Sequence, residues 1–302
     1  MKPAAAARNA VDGVLLLDKP RKLTSQQAVS RAKRLFNARK AGHTGTLDPL
    51  ADGLLPIGFG EATKFSQFLL DADKRYLATL RLGTTTTTGD AEGEIIKELP
   101  VAVNSVQLSA MLPRFIGPQQ QIPPMHAAIK VDGKPLYAYA RAGETIVREP
   151  RSIIISDIQL LDFIDKILKI RISCSKGTYI RVLAEDIGAA LGCGAHLVAL
   201  TREAAGGLDL ANAVSMGDLE AMTLPQRMEH LLPADTFALS LPGLDLSAEE
   251  QRRLITGQRV EAVAAVAALY RLYGPSGAFF GIGEVAGGTL VARRLLTQSA
   301  PW

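Results

Sequence analysis

GHTGTLDPLADG, residues 42–53, places three glycines and a proline within twelve residues. Such a stretch cannot be a regular helix or a buried strand, because glycine is too permissive and proline removes a backbone donor. It nonetheless carries His43, Asp48 and Asp52, and runs directly into the apolar Leu54-Leu55-Pro56-Ile57. Asp before Pro is common in turns, where the side chain caps its own backbone, and on residue type alone that remains an open reading of Asp48. Three features favour a chemical role. The glycines allow a bulky ligand close to the backbone, Leu47 and Leu50 supply apolar walls, and the segment in front of the loop is cationic. A partly desolvated carboxylate beside a polyanion surface suits nucleophilic or acid–base work on a nucleic acid.

That cationic segment is marked. Residues 1–40 carry ten lysines and arginines against Asp12 and Asp18, a net +8, whereas the whole chain is only +4. The concentration reads as a polyanion docking face or, more simply, as a solvated helix face. Gly13–Leu17 looks like a buried strand. Thr24 or Ser25 then caps a helix whose apolar positions Ala28, Val29, Ala32, Leu35 and Phe36 follow helical spacing.

Downstream of the loop the period changes. A short helix near 62–70 precedes a strand from Arg75, where Tyr76, Ala78, Leu80 and Leu82 share one face. GTTTTTGD at 83–90 reads as a turn, and residues 105–116 as a helix. The polar, Pro-Pro-punctuated segment around 120–150 reads as an exposed hairpin arm. Lys166–Cys174 alternates as a strand, a turn at 175–178 opens a helix at 179–191, and His196–Leu200 is a further strand. A boundary falls in the Pro- and Leu-rich stretch 233–245, with short strands between Gly274 and Leu296. Strands with interspersed helices and no βαβ rhythm predict an α+β fold with a small β-rich C-terminal module.

Several chemistries are disfavoured. No GxxxxGK[ST] is present for a nucleotide triphosphate, and no GxSxG for a nucleophile elbow, although a dispersed Ser-His-Asp triad stays open. The four histidines and two cysteines show no metal-ligand spacing. Two cysteines outside any CxxC fit a reducing cytoplasm. The apolar run at 262–270 is well short of the ~20 residues that span a bilayer.

GHTGTLDPLADGLLPIGFGEATKF resembles, almost throughout, the catalytic motif of the bacterial tRNA pseudouridine synthase B family. The resemblance extends through Lys74-Arg75-Tyr76, LGTTTTTGDAEG, QIPPMHAAIKVDGKPLYAYARAG, CSKGTYIRVLAEDIG, GCGAHLVALTR and the terminal FFGIGEVAGGTLVARRLL. It implies a mixed β-sheet catalytic domain with a central cleft over residues 1–243, including an RNA-clamping arm at about 120–150, and a PUA-like RNA-binding domain over 244–302. The implied activity is isomerisation of uridine to pseudouridine at position 55 in the TΨC loop of tRNA, with base flipping, no cofactor, no metal and no obligate protein partner. By the same resemblance Asp48 is the nucleophile and Arg181 pairs with it, while His43, Tyr76, Tyr179 and Leu200 line the uridine pocket. Without the resemblance, Tyr76, Tyr179 and Leu200 read equally well as packing residues and Arg181 as a solvent charge. Three positions depart from the family pattern: Asp52 replaces threonine, His126-Ala127 replaces aromatic-Ser, and Thr201 replaces arginine. The first is expected to perturb Asp48. A non-catalytic RNA-binding or tRNA-folding protein on the same fold is the alternative, as is a synthase for another RNA, against which the arm argues.

Overall fold

The computed structural model describes residues 8–127, 129–262 and 266–297. The first half of the chain supplies β1 (Gly13–Lys19), β2 (Ala41–His43), β3 (Ala51–Phe59), β4 (Lys74–Leu82), β5 (Thr84–Thr86), β6 (Ile95–Glu98), β7 (Gly117–Gln121), β8 (Lys130–Val131) and β9 (Lys134–Pro135). The long strands β10 (Arg151–Ile164), β11 (Ile167–Cys174) and β12 (Ala195–Ala205) follow, with the short β13 (Leu208–Asp209), β14 (Val214–Ser215) and β15 (Leu231–Leu232). Among the described residues eleven of these build one mixed sheet, whose main path is β14-β1-β3-β12-β4-β11-β10-β7.

Helix α1 (Ser25–Leu35) begins where Thr24 accepts from the Gln27 N–H while the Gln27 side chain returns to the Thr24 N–H. This reciprocal cap satisfies two otherwise orphaned donors. Its Ala28, Val29 and Ala32 pack on Leu15, Leu17, Leu55 and Ile57 of the sheet, and Leu183, Ala184 and Ile187 of the helix Ile180–Ala190 join the same core. On the other face Val14, Leu16 and Leu54 meet Phe65, Leu69 and Phe237. Strand β3 is therefore buried on both sides, which is why it reads as a continuous apolar run.

One strand edge decides where the site lies. Along its far edge β3 pairs with β12 at residues 51–53 and with β2 at 57–59, and leaves a fork between them. Pro56, which has no N–H to give a neighbour, falls in that fork. There its carbonyl accepts from Thr44 N (3.1 Å) and the Leu54 carbonyl accepts from Arg202 Nε (2.7 Å). The loop 44–50 leaves the sheet at this point.

The segment 83–90 is not a simple turn. Thr84–Thr86 pairs with Ile95–Glu98 as a hairpin, because β-branched threonines suit a pleated strand as well as a loop. The 120–150 arm consists of the β8–β9 hairpin and the helix Leu136–Arg141, and its root is anchored by buried Gln121, Ala127 and Leu136. Strand β12 runs on to Ala205, five residues beyond the expected end.

From Gly243 a second sheet forms: β16 (Gly243–Asp245), β17 (Val260–Glu261), β18 (Ala268–Tyr273), β19 (Phe279–Ala286) and β20 (Thr289–Leu295), in the order β16-β18-β19-β20-β17. It has its own core around Leu254, Leu272 and Leu290. Phe279 and Ile282, however, belong to the core formed with Phe65 and Phe237, and the Phe65 and Phe279 rings meet edge to face at 5.1 Å. Thr297 N donates to Glu61 (2.6 Å) and Lys64 donates to the Leu295 carbonyl (3.2 Å) at the same seam. The module is docked through an apolar seam.

Candidate active site

The loop between β2 and β3 is fastened from several sides. Ser25, itself buried, accepts from Leu47 N (2.8 Å) and donates to the Leu47 carbonyl (3.0 Å). Arg202 Nη2 donates to the Gly45 carbonyl (3.3 Å). Gly53, at φ +95°, has the Arg202 backbone nitrogen 2.8 Å from where a Cβ would stand, so no other residue fits there. The glycine thus admits the protein's own backbone rather than a ligand. Asp48-Pro49-Leu50-Ala51 closes as a β-turn, with Ala51 N donating to the Asp48 carbonyl at 3.0 Å. The Asp48 main chain makes the turn, which leaves its side chain for another partner.

That partner is Arg181. Its Nη2 lies 3.0 Å from Asp48 Oδ2 and also donates to the His126 carbonyl (2.9 Å). Its Nη1 donates to the Thr88 carbonyl (3.3 Å) and stands 3.6 Å from Asp90 Oδ2. One planar guanidinium therefore ties the Asp48 loop, the β5–β6 hairpin and the arm root together, a task suited to its fixed fork of donors. Arg181 and Asp90 side chains are 6% and 5% exposed, whereas Asp48 keeps 42%. The anchor is buried and the carboxylate is open.

Asp48 faces a cleft of about 350 Å³. Its walls include Leu47, Tyr76, Tyr179, Leu200 and Lys74. Gly45 also lines it. Leu50 turns away into the main core, so only Leu47 is an apolar wall as expected. His43 does not line the cleft. It lies behind, on β2, with Nδ1 buried and without a protein partner, and its pKa is lowered by burial and by the nearby Arg202 charge. At neutral pH it is a neutral imidazole.

An arginine beside a carboxylate, taken alone, holds its pKa low. At Asp48 burial instead raises the pKa above 3.8; Arg181 pulls it back, Asp90 pushes it up again, and Lys19 opposes with a smaller pull. Desolvation wins over the ion pair, tempered by the water that still reaches the side chain. The result is a carboxylate more basic than an ordinary aspartate. Asp52 is absent from this balance. It is held by Thr201 Oγ1 (2.5 Å) and Arg21 Nε (2.7 Å), and its charge acts on Asp18 and Lys19. Two of the three family departures, Asp52 and Thr201, thus bond to each other across β3 and β12.

Groups that residue patterns did not reveal complete the site. Lys19 is fully buried, donates to the Pro20 (2.9 Å) and Leu23 (2.7 Å) carbonyls, and is lowered by desolvation to about 8. Lys74 binds the Leu70 carbonyl (2.7 Å) and is likewise lowered to about 8. Arg202 lies beside Tyr76, whose phenol is pushed up by burial and partly pulled back by that guanidinium.

The three segments 33–180, 181–238 and 242–296 match, in turn, the models of the TruB family pseudouridylate synthase N-terminal domain, the tRNA pseudouridylate synthase B C-terminal domain and the pseudouridine synthase II TruB C-terminal region. The chain belongs to the TruB family. The tRNA pseudouridine synthase B of Dechloromonas aromatica is 52% identical, over 96% of this chain and 97% of that protein. The tRNA pseudouridine synthase B of Thiobacillus denitrificans is also 52% identical, over 98% of each. Among solved structures, a Cbf5-Nop10-Gar1 complex superposes with a TM-score of 0.71 at 24% identity, covering 94% of this chain and 84% of that one. An H/ACA RNP bound to a substrate RNA containing 2′-deoxyuridine gives 0.71 at 22% identity, covering 94% and 85%. These establish the pseudouridine-synthase fold. An α+β body with a β-rich C-terminal module, as expected from the chain, is therefore the TruB architecture, and no helix among the described residues is long and apolar enough to cross a membrane.

Proposed function

We propose that this chain isomerises uridine 55 in the T loop of tRNA, with Asp48 as nucleophile. The observation that carries the reading is the open, desolvated Asp48 carboxylate held at 3.0 Å by buried Arg181, facing a cleft walled by two tyrosines and a leucine. A base in a folded T loop must leave its stack to enter such a cleft, where an aromatic face offers stacking. The carboxylate attacks the nucleoside at C6 or C1′, and the N1–C1′ bond breaks while the pocket walls retain the uracil. The ring turns, a C5–C1′ bond forms, the Asp48 O–C bond breaks and returns its electron pair to the carboxylate, and the C5 proton leaves as N1 gains one. Atoms and electrons balance without redox change, hydrolysis or cofactor. Residues 1–243 form the catalytic domain in this reading, and the arm at 120–150 clamps the RNA.

Tyr76 places an aromatic ring and a phenol beside Asp48. Its upward-shifted pKa keeps the phenol protonated at neutral pH, so it assists C5 deprotonation as a relay through its oxygen rather than as a standing phenolate. Tyr76→Phe is expected to preserve tRNA affinity and to slow turnover about 10²-fold or more, with a rearranged intermediate accumulating. Rapid-quench analysis with full activity in the Phe variant would show that the ring alone matters.

Residues 244–302 form a PUA-like domain that supplies affinity and no chemistry. Deleting them would strip cover from Phe65 and Phe237, so a surface change is the cleaner test. Arg293 is paired with Glu284, which leaves exposed Arg294 as the better phosphate contact. Arg294→Glu should weaken binding of full-length tRNA and reduce its salt slope by roughly one contact, ~0.9, while a short T-arm stem-loop is bound as before. Equal weakening on both RNAs would sink the assignment.

A further inference from the structure

The turn Pro20–Leu23 lies outside the cleft, yet it is built onto the catalytic loop. Lys22 N donates to the Pro49 carbonyl (2.8 Å), the residue next to Asp48. From inside, the buried Lys19 ammonium binds the Pro20 and Leu23 carbonyls at 2.9 and 2.7 Å. Held this way, Lys22 adopts φ +68°, a left-handed conformation that penalises every residue with a Cβ and that glycine would take freely. A long cationic side chain therefore occupies a position whose backbone calls for glycine, and that side chain contributes nothing to the core because it is exposed.

Its neighbour is also fixed. Arg21 Nε donates to Asp52 Oδ2 at 2.7 Å, and Asp52 Oδ1 accepts from Thr201 Oγ1 at 2.5 Å. Arg21 remains half exposed, so its guanidinium is open to an anion as well as to Asp52. Asp52 and Thr201 are thus the anchor of a cation delivered from the turn. Beyond Leu23 the exposed side of α1 continues the positive surface through Arg34.

We propose that the Pro20–Leu23 turn is a phosphate-binding element, in which Lys22, supported by Arg21, holds an RNA backbone phosphate close to the target nucleotide. The proposal rests on the reading of the cleft as the uridine site. It explains the strained lysine: a cation mounted on a turn clamped to the Asp48 loop positions the RNA backbone against the nucleophile, and a flexible loop would not. Lys19 and Asp52 are positioning residues here, acting through the turn.

The test uses the full chain and unmodified tRNA. Lys22→Gly removes the ammonium and also the left-handed penalty, so its Tm should equal or exceed that of the parent. Its Kd and KM should rise about three- to tenfold near physiological salt, and the slope of log affinity against log salt should fall by ~0.7–0.9, the loss of one phosphate contact. Lys22→Arg should restore both. Unchanged affinity and salt slope in the glycine variant would overturn the proposal. So would a loss of saturated single-turnover rate at unchanged Kd, which would make the turn a prop for the Asp48 loop. Failure of the underlying functional reading is distinct, because the parent protein would then convert no uridine.

Discussion

Asp48→Asn should abolish pseudouridine formation, a loss of at least about 10⁴-fold, while tRNA affinity stays within a small factor of the parent. The substitution is nearly isosteric. The β-turn survives because it uses the Asp48 backbone carbonyl, and an amide oxygen still accepts from Arg181. What disappears is the charge that attacks the nucleoside in the proposed mechanism. A neutral amide is a poor nucleophile, and among the described residues that line the cleft Asp48 is the one carboxylate; the nearby Asp90 is 5% exposed and committed to the far side of Arg181. Removing one negative charge facing a polyanion works, if anything, in favour of binding. Pseudouridine mapping of tRNA incubated with the variant, alongside a binding isotherm, separates the two effects. Even slow enzyme-dependent conversion would rule out Asp48 as the nucleophile.

Much of the frame was legible because hydrophobic period survives in the strands that count. β1, α1, β4 and β11 announce themselves by buried runs or clean alternation. β10, RSIIISDIQLLDFI, does not. Register shifts between Ile155 and Asp157 and between Leu160 and Asp162 move the inward face, so no single period fits its length. β12 was expected to stop at Leu200, and the polar Thr201-Arg202-Glu203 that follows gives no sign of a continuing core strand. Arg202 in fact points inward and is fully buried, satisfied by the Leu54 and Gly45 carbonyls rather than by apolar contacts. The same blindness hid Lys19, which reads as a strand end and is a buried cation knotting the Pro20–Leu23 turn.

At the site, the motif located Asp48, but the energetics needed three dimensions. Arg181 follows Tyr179 in a helix-opening segment, and nothing in that spacing distinguishes a solvent charge from a buried clamp. Contacts to Thr88, Asp90 and His126 come from chain segments 55 to 93 residues away. Nor does composition show that desolvation outweighs the arginine at Asp48, since that balance depends on how much water the cleft admits.

Arg181→Met is the second large expected effect, because the guanidinium holds three segments and two carboxylates at once. Without it, buried Asp90 loses its cationic partner but keeps Thr88 Oγ1 (2.5 Å) and Glu92 N (3.1 Å), so the destabilisation should fall below the about 3–5 kcal/mol of a fully stripped buried ion pair. The arm root and the β5–β6 hairpin lose their shared donor. Activity should fall by about 10²–10⁴-fold, as the nucleophile loses both its orientation and an electrostatic partner. Arg181→Lys should not rescue it, since a single ammonium cannot reach Asp48, Asp90 and two carbonyls from one position. The pH dependence gives a sharper signature. Arg181 is the largest influence that lowers the Asp48 pKa against burial, so its removal raises that pKa further. The acid limb of kcat/KM, set by ionisation of Asp48 in the proposed mechanism, should therefore lie above the ordinary aspartate value in the parent and at still higher pH in the variant. Stability carries the matching sign. A carboxyl whose folded pKa is raised binds its proton more tightly folded than unfolded, so its contribution falls as pH climbs from 3.8 through the folded value. That window should widen upward in Arg181→Met. Urea unfolding across pH, paired with the rate profile, checks both. An acid limb that stayed in place would mean that the arginine braces the fold without tuning the nucleophile.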